Sequence, residues 1–131
     1  MSIEKKTYRS GPWKDVFAQG VRVGDRLYLA GQVSMDEAGA VVGAGDIAAQ
    51  VRTTYGNIAR VLGQFGATMN NVVDETLFVT DMAMVMDNLE AVGGARAEAY
   101  GGTAEVSQTM VQVAGLVMPE LLIEIKCVAQ L

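Results

Sequence analysis

Hydrophobic and polar positions change period several times along the chain, and each change marks an element. Phe17 to Val23 and Leu27 to Val33 alternate or run apolar on either side of Gly24-Asp25-Arg26, which predicts two strands joined by a tight turn. The Gly-rich stretch from Glu37 to Gly45 has no period and reads as a loop. Beyond it, Asp46 stands where a helix cap is needed. Ile47, Val51, Tyr55, Ile58 and Leu62 then recur at helical spacing on one face, and the helix should end between Gly63 and Gly66. Val73 to Thr80 is β-rich, with Val73, Leu77 and Val79 expected on one face and Asp74, Thr76 and Phe78 on the other. A second helix is expected from about Met82, with a stripe of Val85, Leu89, Val92 and Ala99. Gly93-Gly94 weakens it by about 1 kcal/mol per glycine. Two closing strands, Thr109 to Leu116 and Leu121 to Ala129, flank Val117-Met118-Pro119. The expected order is ββαβαββ.

That order predicts an α+β fold, a mostly antiparallel sheet with two helices on one face, formed by one domain over residues 1–131. The opposite face then needs an account. In Met110 to Val113 and Leu122 to Val128, apolar side chains fall on both sides of the pleat, and one helix layer covers only one side. An apolar sheet face left open in this way predicts an oligomer contact.

Charge and composition narrow the chemistry. Fifteen acids against ten bases give a formal charge of −5, and the bases are scattered. Nucleic-acid binding depends on clustered Lys and Arg, so no nucleic-acid partner is expected. No apolar run reaches the roughly 18 residues of a membrane span, and the first fifteen residues lack a signal-peptide core. We therefore expect a cytoplasmic protein without a membrane partner. With no histidine and one cysteine, Cys127, no set of metal ligands and no Ser-His or Cys-His nucleophile is available. No metal and no cofactor are expected, so any catalysis rests on carboxylates, hydroxyls, amides, backbone and water.

Several short motifs together resemble the Rid family, also called YjgF or RidA-like. They are Phe17-Ala18-Gln19-Gly20-Val21, then Ala30-Gly31-Gln32-Val33, then Gln50 and Asn57 of the first helix. Gly66-Ala67, Val72 to Met82, and the closing run EVSQTMVQVAGLVMPELLIEIKCVAQL from Glu105 follow in order. Each is weak alone, and the specificity lies in their order and spacing over most of the chain. The resemblance implies the Rid or chorismate-mutase-like fold, assembled as a homotrimer around a barrel-like core of sheets, with small-metabolite clefts between subunits. In archetypal members such clefts hydrolyse reactive 2-imino or enamino acids to 2-keto acids and ammonia. An Arg holds the substrate carboxylate and a Glu holds the attacking water.

Carried over residue by residue, the resemblance places Glu124 as the catalytic, water-positioning acid and Gly31 as the cleft glycine. Phe17 stands for the family's Tyr, Ala30 for its Ser, and Gln108 for the carboxylate-binding Arg, so the chain resembles the Arg-lacking branches. Met82, Met84, Met86 and Met110 read first as core filling, although the resemblance puts them where the family's cleft rim would be, and Met110 joins Phe17, Ala30, Gly31 and Gln108 as expected substrate-binding residues. Gln108 offers a carboxylate two hydrogen bonds but no charge, and charge-assisted bonds are about twice as strong. A different substrate range from the archetype follows. Two residue-level alternatives stay open: Glu124 as half of a same-face pair with Lys126, and Arg96 either as a substitute cation or as a solvated helix residue. Arg52 and Arg60 read as surface, Cys127 as packing, and Trp13 with Phe17 as either a cleft wall or packing. At the level of function, a cofactor-free imine or enamine hydrolase leads. A non-catalytic metabolite-binding trimer is the alternative, and the endoribonuclease label attached to the family is disfavoured by charge and by the absence of histidine.

Overall fold

The computed structural model describes residues 2–131. One seven-stranded sheet carries the chain: β1 (Lys6–Tyr8), β2 (Gly20–Val23), β3 (Arg26–Leu29), β4 (Gln32–Val33), β5 (Val72–Val79), β6 (Ser107–Gln112) and β7 (Ile123–Gln130). Its order is β1-β2-β3-β7-β5-β6, with β4 also paired to β7. Every described pairing is antiparallel except β5 with β6. The parallel exception follows from connectivity: β5 leads through α2 (Met82–Asp87) and α3 (Leu89–Tyr100) to β6, and a helical crossover returns the chain in the same direction.

The first hairpin turns on Gly24-Asp25. Gly24 has φ +57 and Asp25 does not share it, which suits a turn with glycine at its first central position. Helix α1 (Ile47–Gly63) begins as the sequence predicts, with the Asp46 side chain accepting from the Ala49 N–H. Its predicted apolar face, Ile47, Val51, Tyr55, Ile58 and Leu62, is buried. It packs against Leu27, Leu29, Leu77, Ile123 and Ile125 in one hydrophobic cluster. Gln50 is fully buried and ties this layer to the chain entering β7: it donates to the Gly43 and Glu120 carbonyls and accepts from the Leu122 N–H.

Two expectations are corrected, and two features were not foreseen. The short polar strand β1 carries no apolar alternation and was not foreseen; it is held by pairing with β2. The second helix is two helices, divided at Asn88, and Leu89 is exposed, so the inward stripe is Val85, Val92 and Ala95. A bulge between Val72 and Asp74 puts Val72 into the core and turns Val73 out. The same face of β5 buries an acid, Glu75, with no exposed surface. Opposite the helices, the sheet face carries exposed Tyr28 and Val111 and part-buried Phe78 and Val128 among Asp74, Lys126 and Gln130. No helix in the described residues is long and apolar enough to cross a membrane.

Candidate functional site

The principal cleft, of about 660 Å³, lies where the loop after β1 folds over the junction of β3, β4 and α1. Phe17, Ala30, Gly31 and Glu124 line it together, with Trp13, Val16 and Val117 supplying apolar wall. Thus four of the six residues expected from sequence meet in one chain. Trp13 and Phe17 are about two-fifths exposed, and both line the cleft rather than filling the core.

Glu124 is placed by register. On β7 the side chains of Ile123, Ile125 and Cys127 point into the helix-covered core, so Glu124 leaves the sheet on the other face, opposite Phe78 and Val33. Its carboxylate lies against Gly31, where a Cβ would sit 2.8 Å from the Glu124 Cδ. A side chain at position 31 would force the Glu124 carboxylate to move. No described side chain or N–H donates to the carboxylate, and Lys126, two residues on, forms no ion pair with it. Burial raises the Glu124 pKa, and the charge of Lys126 pulls in the opposite direction without cancelling the effect. The result is a half-buried acid that lines the cleft and accepts no hydrogen bond from the described residues.

The cleft floor is fixed by amides. Gln32 donates to the Gln19 side chain at 2.8 Å and to the Ala30 carbonyl. Asn57 of α1 donates to the Val33 and Met35 carbonyls and accepts from Arg60 at 2.9 Å. Arg60, which sequence assigns simply to the surface, is exposed but lines the cleft, where among the described residues it is the single cation beside Asp36, Glu37 and Glu124.

Gln108 and Met110 lie elsewhere in this chain. They sit on β6 opposite Glu75 and Leu77, on the helix-covered face, whereas Glu124 is on the open face two strands away. Met110, Met82 and Met84 pack against the core, and Met86 is exposed. Gln108 donates to Glu75 Oε2 at 2.9 Å. Glu75 accepts from three further donors: the Tyr55 and Tyr100 hydroxyls on Oε1 at 2.8 and 2.6 Å, and Arg96 Nε on Oε2 at 2.7 Å. Arg96 is thus neither free nor merely solvated. Burial alone would lower its pKa, but the hydrogen bond and charge of Glu75 outweigh that and hold it above its ordinary value. Burial, then Glu75, raises both tyrosines. Cys127 is fully buried and its thiol is pushed up to about 12, so it packs as expected and is no nucleophile at neutral pH. Sequence reasoning missed Glu75 because a single strand acid between Asp74 and Thr76 reads as solvated. The one available signal was its place in the alternation, on the face of Leu77 and Val79.

A mixed sheet with helices on one face, a glycine-backed acid in an aromatic cleft and no metal-ligand cluster among the described residues defines an α+β protein with a small-molecule-sized pocket. The family described as Endoribonuclease L-PSP matches residues 12–131, and the chain belongs to that family, the YjgF/RutC/Rid family. A RutC family protein of Pyrococcus horikoshii is 29% identical over 113 residues, covering 86% of this chain and 85% of the relative. A crystal structure of a YjgF/YER057c/UK114 family member from Mycobacterium tuberculosis is similar over 98% of this chain and 100% of its own, at 33% identity and a TM-score of 0.80. A Rid family protein of unknown function from Yersinia pestis aligns over 100% and 98% at 29% identity, also with a TM-score of 0.80.

Proposed function

We propose that the protein is a cytoplasmic, cofactor-free hydrolase of small imines or enamines, acting in clefts between the subunits of a homotrimer. The observation that carries this reading is the Glu124 carboxylate: half-buried, backed by Gly31, facing the cleft and receiving no hydrogen bond from any described residue. An acid so placed can accept a proton from water as the water oxygen adds to the imine carbon, while the imine nitrogen takes up a proton. The Glu124 carboxyl then gives its proton to the nitrogen as the hydroxyl loses one, so the carbinolamine expels ammonia, leaves a carbonyl and returns the carboxylate. Burial raises the basicity of Glu124 towards the working pH, which favours this proton transfer.

A homotrimer would complete the cleft. Gln108 and Glu124 leave the sheet on opposite faces, so in one chain they cannot grip the same ligand. A neighbour's β6 edge packed at the mouth of the cleft would bring them together, and the open sheet face with Tyr28, Phe78 and Val111 offers a surface for that packing. RNA fits poorly: Asp36, Glu37 and Glu124 surround the cleft, and the chain's net charge is −5.

The test is ammonia release from a panel of enzymatically generated imines, small 2-imino acids beside larger uncharged and aromatic ones. The native protein should accelerate at least one, and Glu124→Gln should lower kcat/KM by about 100-fold or more. No acceleration for any imine, with Gln108→Arg gaining activity on 2-imino acids, would instead establish a metabolite-binding trimer. Light scattering that gives a monomer would remove the shared cleft.

A further inference from the structure

We infer that the cleft takes a protonated imine that bears no carboxylate and is carried on a planar aromatic group, and that Trp13 is the side chain that selects it. This deepens the proposed hydrolase reading and rests on it only for the imine group. Asp36, Glu37 and Glu124 line the cleft with one guanidinium, Arg60, and among the described residues no ion pair joins them. Arg60 Nη2 is held on Asn57 Oδ1 at 2.9 Å, and Asn57 is fixed in turn by the Val33 and Met35 carbonyls. Asp36 spends one oxygen on the Ala38 and Ala40 N–H groups, whereas Glu124 accepts from no described residue. An entering carboxylate is repelled on balance by such a lining. An iminium, with its positive charge and N–H donors, is drawn to the unspent acid.

The apolar wall fits the rest of such a ligand. Trp13 and Phe17 lie on one turn, in which the Trp13 carbonyl accepts from the Val16 and Phe17 N–H groups at 2.9 and 3.1 Å. The end of this loop is tied to the sheet: the Gln19 N–H donates to the Tyr8 carbonyl at 2.7 Å, and the Ala30 N–H donates to the Gln19 carbonyl at 2.9 Å. Backbone bonds therefore hold both rings at the cleft while much of each stays uncovered. Aromatic rings gain from stacked or edge contacts as well as from burial, so an aromatic ligand covers this surface better than an aliphatic one. The cleft volume of about 660 Å³ points the same way. Pockets of roughly 300–1,000 Å³ enclose drug-sized ligands, and a small 2-imino acid would leave most of this one to water. Hydrolysis by the route above then yields an aromatic aldehyde or ketone and ammonia.

Benzamidine, benzamide and benzoate share one planar shape and differ in charge, and acetamidine keeps the cation without the ring. Calorimetric binding of the four tests the inference on the native assembly, Trp13→Ala, Trp13→Phe and Glu124→Gln. Trp13 is the single tryptophan of the chain, so a change in its fluorescence also reports an aryl ligand at this wall. The native protein should bind benzamidine about tenfold more tightly than benzamide, and benzoate more weakly than either, as a charge-assisted bond to Glu124 implies. Trp13→Ala should weaken the aryl ligands about fivefold, the scale of one aromatic pair, and leave acetamidine unchanged. Glu124→Gln should remove most of the preference for benzamidine over benzamide. A native protein that does not bind benzamidine, benzoate as the tightest ligand, or unchanged aryl binding in Trp13→Ala overturns the inference. If light scattering shows that Trp13→Ala does not assemble, Trp13→Phe decides: weakened aryl binding supports the selecting role and unchanged binding overturns it. Accelerated hydrolysis of 2-imino acids but not of benzaldimine would sink the inference and leave the hydrolase standing. Benzamidine-selective binding in a protein that hydrolyses no imine would support the ligand class and remove the hydrolase.

Discussion

Two carboxylates on neighbouring strands have opposite surroundings. Glu75 on β5 has no exposed surface and takes four hydrogen bonds, from Tyr55, Tyr100, Arg96 and Gln108. Glu124 on β7 is half-buried, takes none from the described residues and faces a cleft with aromatic walls. The first has spent its acceptor capacity inside the fold, and removing it would strand its donors. The second has that capacity unspent. A buried acid is thus a poor guide to chemistry until its donors are counted, and that count is what favours Glu124 over Glu75 in the function proposed above.

The largest effect expected from this contrast is on stability. Glu75→Ala leaves buried Tyr55 and part-buried Arg96 and Tyr100 without their acceptor, and should cost roughly 3–5 kcal/mol in urea unfolding, as breaking one side of a buried pair does. Glu124→Ala should cost under about 0.5 kcal/mol, in the range of substitutions that strand no partner. Equal losses would erase the distinction between the two acids. Position 31 sharpens it from the other side. A Cβ there would overlap the Glu124 carboxylate, so Gly31→Ala should displace that acid, lowering kcat about tenfold or more through misplacement. The strain should cost about 1 kcal/mol. A Cβ added at Gly56 of α1 would meet nothing within 4 Å, and Gly56→Ala should stabilise by about 0.5–1 kcal/mol with kcat unchanged.

Local periodicity carried the parts of the fold that local chemistry decides. The apolar face of α1, its Asp46 cap and the Gly24 turn lie within single elements and were legible from them. The bulge at Val72/Asp74 was not, because it depends on pairing with β7 some 55 residues away. Nor was the break at Asn88, where helical spacing continues through Leu89 although that side chain points to solvent. The site divided the same way. Glu124 and Gly31 were named through the family resemblance, and their contact is a consequence of the β4–β7 register. Glu75 stayed invisible because its four donors come from α1, α3 and β6, 20 to 33 residues distant, and no spacing rule joins them.

The smallest expected effect separates the two acids by pH. Burial raises the Glu124 pKa in the fold, so the folded chain holds its proton more tightly than the unfolded chain does. The favourable contribution of the protonated acid is complete below the ordinary glutamate range and is lost as pH rises through the raised value. Above that value the fold carries a desolvated charge that Lys126 only partly offsets. Glu124→Gln removes the charge at constant shape. The variant should match the native protein in Tm at low pH and exceed it at pH 7 by roughly 1–2 °C, a small margin because half of the group is still in water. Lys126→Ala should raise the Glu124 pKa further and widen the gap. A Glu124→Gln protein less stable than native at pH 7 would mean that the carboxylate has a stabilising partner in the assembled protein. Its role would then be closer to that of Glu75 than the contrast between them allows.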